Sequence, residues 1–298
     1  MPTTLTLIKR NIKLFFKDKG MFFTSLITPA ILLVLYATFL ANVYEDSFLS
    51  GIPVGLPINE GLIKALVGGQ LISSILAVSC VTVAFCSNFL MVQDKANGSA
   101  RDLLISPVKS TTLSLSYYIA SLVSTLIICY FATGLCFIYQ IIVGWYLSFA
   151  DVLLILLDVL LLVLFGTALS SIINYFLSTQ GQISAVGSII SSCYGFICGA
   201  YMPISSFGTG LQKAVLFLPG THGTSLLRNH ALGGVFKEME SSGIPEEVTE
   251  SMATVVDCNL SLGDYSFTEP VMYLILGGAT LLLICAYVLI NFLRKKAK

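Results

Sequence analysis

Asp158 is the one acid that stands inside an apolar run long enough to cross a bilayer. It follows Asp151 by seven residues, which on a helix puts both on one face with Asp158 about 10 Å deeper. A charge at that depth costs at least ~2.5–3.5 kcal/mol on insertion scales, so such an acid serves a proton or ion relay or a hydrogen-bonded structural role. His222 and His230 follow later without a cysteine or third histidine near them in sequence, too few donors for a metal site. Neither His-x-Glu nor Gly-x-Ser-x-Gly occurs, and there is no G-x-x-x-x-G-K-[ST] phosphate loop. The chain therefore presents no catalytic set and no metal site, and it lacks that means of binding and hydrolysing ATP.

Composition accounts for this poverty of chemistry. Apolar residues make up 56% of 298 positions and charged residues 11%, where a soluble domain carries roughly 25% charge; mean hydropathy is +0.89. Lys and Arg balance Asp and Glu at 16 each, so there is no basic footprint for nucleic acid. The elements that must position any site are membrane helices.

Runs of about 20 apolar residues, enough for roughly 30 Å of hydrocarbon, cover residues 21–43, 62–92, 113–144, 152–177 and 271–293. A sixth, 183–202, is interrupted by Gly187, Ser191, Ser192, Gly195 and Gly199, small residues that suit a closely packed membrane helix. The first run exceeds 20 residues and contains Pro29, which reads as a retained span and not a cleaved signal. The expected fold is all-α: a polytopic membrane protein with six transmembrane helices. Most cysteines fall within these runs as packing residues, with Cys258 in an outer loop, so no disulfide framework is expected.

Charge placement orients the six spans. Lys9, Arg10, Lys13, Lys17 and Lys19 precede the first, Lys95, Arg101 and Lys109 follow the second, and Arg294, Lys295, Lys296 and Lys298 follow the last. With six spans all of these share one side, the cytoplasmic one by the positive-inside rule. The other side collects the acids from Glu238 to Glu269, with Lys64, Lys213, Arg228 and Lys237. Both termini are therefore expected in the cytoplasm.

Three segments lie outside the spans. In residues 1–20, Leu5, Ile8, Ile12, Phe15 and Phe16 share one helical face and the basic residues the other, the pattern of an interfacial helix. In residues 93–112, Gly98 and Pro107 bracket a one-to-two-turn helix carrying Leu103, Leu104 and Ile105. That cluster is too short to enter the bilayer and too apolar to stay solvated, so it packs on its own spans or fills a groove on another protein. In residues 203–270, the apolar run Leu211 to Leu218 is too short to span and must be re-entrant or folded against the spans.

The order Asp94, Gly98, Ser99, Leu103, Pro107, Val108 resembles the cytoplasmic coupling loop of type-2 ATP-binding-cassette exporter permeases. The order of elements resembles that family along almost the whole chain: basic amphipathic helix, Pro29 in the first span, coupling loop, and a long outer segment before the last span. Residues 199–228 resemble the family's re-entrant region, ending in a Pro and an Arg at Pro219 and Arg228. Ala96 and Arg101 stand where the family often has acids, so no salt bridge to an ATPase is carried over from those positions.

The resemblance implies a single permease domain over residues 1–298 of a bacterial cytoplasmic membrane exporter. ATP and Mg would sit on a separate ATPase subunit, with no cofactor in this chain. The permease would pair with itself or a related copy among membrane lipids, without nucleic acid. ATPase coupling would fall to Asp94, Gly98, Ser99, Leu103, Leu104 and Pro107. An amphiphilic drug, lipid, peptide or glycan precursor would pass between the first, second and fifth spans, with Tyr36, Phe39, Tyr194 and Phe196 as lining. An ion-gradient-driven secondary transporter using Asp158 and a non-transporting immunity or sensor protein remain the alternatives.

Overall fold

A computed structural model describes residues 2–36, 38, 41, 42, 44, 45, 48, 59–105, 108–263 and 265–296. Helix α1 (Pro2–Lys17) meets α2 (Lys19–Leu35) at a 72° bend. Asp18 makes that corner by capping α2, its carboxylate accepting from the Met21 amide at 3.1 Å, one of the orphan donors of a helix start. The buried seam of α1 is Leu7, Asn11 and Phe15 at four-residue spacing, packed on α5 (Ser110–Val143), while Leu5 is exposed.

Helix α3 (Glu60–Ala96) runs through the centre, packed by α2, α5, α6 (Phe149–Phe176), α7 (Gln180–Ile197) and α9 (Pro219–Ser241). A helix apolar on every side must be enclosed on every side, and nearly all of α3 is buried. Lipid is as apolar as Leu, so these spans cohere through close packing and interhelical hydrogen bonds. At Gly166 of α6 an added Cβ would lie 3.0 Å from Val81 Cα, which shows how tightly α6 crosses α3. On one side of α3, the Ser87 hydroxyl lies 2.7 Å from both Ser121 and Thr125 of α5. On another, Asn88 Nδ2 donates to Ser171 Oγ of α6 at 2.7 Å. Such bonds within a bilayer are worth about 0.6–2 kcal/mol each.

Among the described residues α3, α5, α6 and α11 (Glu269–Lys296) are long and apolar enough to cross a membrane, and the bent α1–α2 pair counts as a fifth only when taken as one span. This differs from the expected six at α7. The segment is helical, opened by a Thr179–Gln182 capping box, but Gln180 and Gln182, together with its serines and glycines, keep it below the hydropathy of a span.

Residues 203–270 fold as α8 (Thr209–Leu216), α9, α10 (Glu246–Val255) and a two-residue hairpin, β1 (Ser261–Leu262) with β2 (Tyr265–Ser266). Pro219 occupies the first turn of α9, where its missing amide costs nothing. Helix α9 is polar yet buried against α3, α6 and α11, longer and more enclosed than the short re-entrant helices expected. Most of its buried polar side chains bond within the bundle, while Arg228 Nε, His222 Nδ1 and His230 Nε2 have no partner among the described residues. Arg228 donates to Asp257 at 3.0 Å and to the Gly199 carbonyl at 2.6 Å, and Ser225 donates to the Cys258 carbonyl at 2.9 Å.

Candidate functional site

At the basic end of the bundle two consecutive residues of α3 hold its neighbours. The Asp94 carboxylate accepts from Arg10 Nη1 of α1 at 2.8 Å and from the Tyr117 hydroxyl of α5 at 2.5 Å. Burial works against the Arg10 charge, and the Asp94 carboxylate outweighs it, holding the guanidinium above its ordinary range. Lys95 Nζ turns the other way, donating to the carbonyls of Asn174, Tyr175 and Leu177 at 3.0, 2.7 and 3.1 Å. These close the C-terminal end of α6, where orphan carbonyls and the helix dipole favour a cation.

Directly after this clamp Gly98 adopts φ +81°, a conformation glycine reaches at no steric cost, and the chain reverses into α4 (Ser99–Ile105). Leu103 is half-buried against the core. Ile105 is 78% exposed, and beside it on α4 Arg101 and Asp102 are exposed. Of the cluster Leu103, Leu104 and Ile105, the described side chain that turns outward is thus Ile105, while Leu103, expected to dock with Leu104, packs inward; the side chain of Leu104 and the whole of Pro107 lie outside the described residues. Asp94, expected at the same docking surface, spends its carboxylate inside the chain. Ser99 begins α4 and is half-buried.

A groove of about 690 Å³ opens between α2, α3 and α7, lined by Thr24, Cys86, Phe89, Gln93, Ser184, Gly187, Ser188, Ser191 and Ser192 among others. Of the four residues expected as lining, Tyr36, Tyr194 and Phe196 are not among those that line it. Tyr36 is buried and donates to the Ala200 carbonyl at 3.3 Å, Tyr194 is buried, Phe196 is exposed away from the groove, and Phe39 lies outside the described residues. Beside Phe89 the wall is mostly small and hydroxylated, and the rings of Tyr36 and Tyr194 are used to fill helix contacts.

Asp158 is fully buried with both oxygens engaged. His230 Nδ1 of α9 lies 2.6 Å from Oδ2, and the Tyr273 hydroxyl of α11 donates to Oδ1 at 2.7 Å. Sequence reading missed this cluster, since its members are 72 and 115 positions apart and no local signal links them. Cys258, expected on an open outer loop, is buried at 2% exposure, and burial pushes its thiol up to about 12. No group of His, Cys, Asp and Glu fit to hold a metal occurs among the described residues.

A bundle of apolar spans with an amphipathic helix bent along one end, and a short exposed helix rooted on the central span at that end, is a multi-pass membrane protein. The ABC-2 type transporter family matches residues 3–231, and the chain belongs to that family. It is a permease subunit, the membrane component of such a transporter, and members typically work with an ATPase partner. The match ends within α9, leaving α10, the hairpin and α11 beyond it. No curated protein matches the chain.

Proposed function

We propose that this permease exports an amphiphilic substrate from the cytoplasm of a bacterium, driven by a separate ATPase subunit that binds ATP and Mg and docks on α4. Two copies, or two related ones, form the working unit. On this reading α7, although less apolar than the other spans, crosses the membrane in the packed bundle as the fifth of six spans, and both termini lie in the cytoplasm. Substrate moves along the groove between α2, α3 and α7.

The observation that carries this reading is the position of α4. Helix α4 lies outside the apolar spans with Arg101, Asp102 and Ile105 exposed on it, and it begins a few residues beyond the Asp94–Lys95 clamp that grips α1, α5 and α6. A push on α4 is therefore delivered to three helices at once. Asp94 and Gly98 are positioning residues, and Ile105 carries the contact. The polar wall of α7 supports the path, because serines at Ser184, Ser188 and Ser192 face lipid poorly but suit a second copy or a hydrated substrate.

The test is Ile105→Asp, which puts a charge at a contact that burial would desolvate without disturbing the spans. The variant is expected to insert normally but to lose co-purification of its ATPase and ATP-dependent export. Wild-type co-purification and export would sink the reading.

The buried Asp158–His230–Tyr273 cluster favours a second reading, a proton-coupled carrier, since intramembrane ionisable groups mark ion paths by default. Export that persists without an ATPase and collapses with a protonophore would establish it in place of the first.

A further inference from the structure

A second groove, about 210 Å³, lies between α5 and α11. Its outer walls are Leu115, Ile284 and Val288, and its floor is Tyr118, Tyr287 and Asn291. The floor is polar. Ser114 Oγ donates to Asn291 Oδ1 at 2.6 Å, Asn291 Nδ2 donates to the Tyr287 carbonyl at 2.8 Å, and the Tyr287 hydroxyl donates to the Ser114 carbonyl at 3.2 Å. Tyr118 differs from its neighbours: it is 92% buried by its 8% exposure, and its hydroxyl has no partner among the described residues. A buried hydroxyl left unpaired is costly, so an acceptor from outside the chain would complete it.

We propose that this groove is a binding site for one anionic glycerophospholipid. Depth selects a lipid. Helix α5 has 34 residues, hence about 51 Å of length against roughly 30 Å of hydrocarbon, and centred in the bilayer it overhangs by about 10 Å at each end. Tyr118 lies eight residues, about 12 Å, from the start of α5. That is the hydrocarbon boundary, where the ester carbonyls of a glycerophospholipid offer acceptors, while the acyl chains run on past Ile284 and Val288.

Charge selects an anionic headgroup. Lys109 stands just before α5, and Arg294, Lys295 and Lys296 form the last turn of α11, so both helices that wall the groove end in cations at its headgroup side. Basic ends between spans attract anionic headgroups. The acid of the central span at this end, Asp94, is already paired with Arg10. Ser114 and Asn291 also line a smaller cavity of about 110 Å³ that reaches Lys95 and Ala100. A lipid seated here would lie against the root of α4.

The site is tested on the purified full-length chain by native mass spectrometry, after exposure to phosphatidylglycerol or phosphatidylcholine of identical acyl chains. Wild type is expected to retain one phosphatidylglycerol per chain, in roughly tenfold preference over phosphatidylcholine, less so at high salt. Val288→Trp, at a residue 58% exposed, should fill the groove and abolish that preference with an unchanged melting temperature. Tyr118→Phe, which removes only the hydroxyl, should weaken retention by roughly three- to tenfold. Equal retention of the two lipids, or undiminished selective retention in Val288→Trp, would overturn the proposal. So would a disulfide-linked dimer forming through Val288→Cys in native membranes, which would give the groove to a second copy. The readout is lipid retention, not transport, so it stands apart from the functional reading above.

Discussion

Arg10 and Asp94, 84 positions apart, meet at 2.8 Å and join the amphipathic helix that runs along the end of the bundle to the span at its centre. The pair is partly open, with the Arg10 side chain 31% exposed and Asp94 10%, and Tyr117 supplies a second donor. Removing one partner leaves the other charge half-desolvated. Arg10→Ala is expected to destabilise by about 1–3 kcal/mol, below the cost of breaking a fully buried pair. Adding Asp94→Asn should recover part of the loss, and a double-mutant cycle of thermal unfolding in detergent reads the difference.

Lys95→Met keeps the stem of the side chain and removes its charge. Three carbonyls at the end of α6 then lose their donor, a loss of roughly 1–2 kcal/mol. Hydrogen exchange should rise in the last turn of α6 and leave its buried middle unchanged.

Two leucine-type positions on α4 separate packing from docking. Leu103→Asp is expected to lower the melting temperature, because that side chain packs against the core, while Ile105→Asp should leave it unchanged and act on ATPase association alone. Equal melting losses in both would show that α4 packs on its own spans along its whole length.

At Gly98 an added Cβ meets nothing within 4 Å, so Gly98→Ala tests backbone conformation by itself. Holding a residue other than glycine at φ +81° costs about 1–2 kcal/mol. The expected result is a permease that still binds its ATPase but hydrolyses with weaker response to substrate, measured as stimulated over basal turnover.

Topology is best read away from Cys258, which is buried and whose thiol stays protonated. A membrane-impermeant maleimide is expected to leave it unlabelled in intact cells. In a background with the exposed Cys193 and Cys285 replaced by Ser, Glu247→Cys should label from outside and Lys109→Cys only after permeabilisation. The reverse pattern would invert the proposed orientation.

Hydropathy and charge placement made the class of the protein legible from the sequence. Long apolar runs have one stable solution in lipid, since every backbone group must be satisfied within the helix, and α3, α5, α6 and α11 appear where those runs lie. The amphipathic α1 and the short helix between Gly98 and Pro107 were legible for the same local reason, a pattern set by 3.6 residues per turn. What faces what was decided only in three dimensions. On a helix of seven residues outside the spans, Leu103 and Ile105 are both apolar, so hydropathy does not say which of them turns outward. Nor does it say that Tyr36 and Tyr194 fill helix contacts while serines line the groove. The charged groups were the least legible, because Asp94 with Arg10, Lys95 with the end of α6, and Asp158 with His230 and Tyr273 are joined across 72 or more positions. Each is set by the need to pair a buried charge, a demand that sequence announces at one residue and only the packed helices answer.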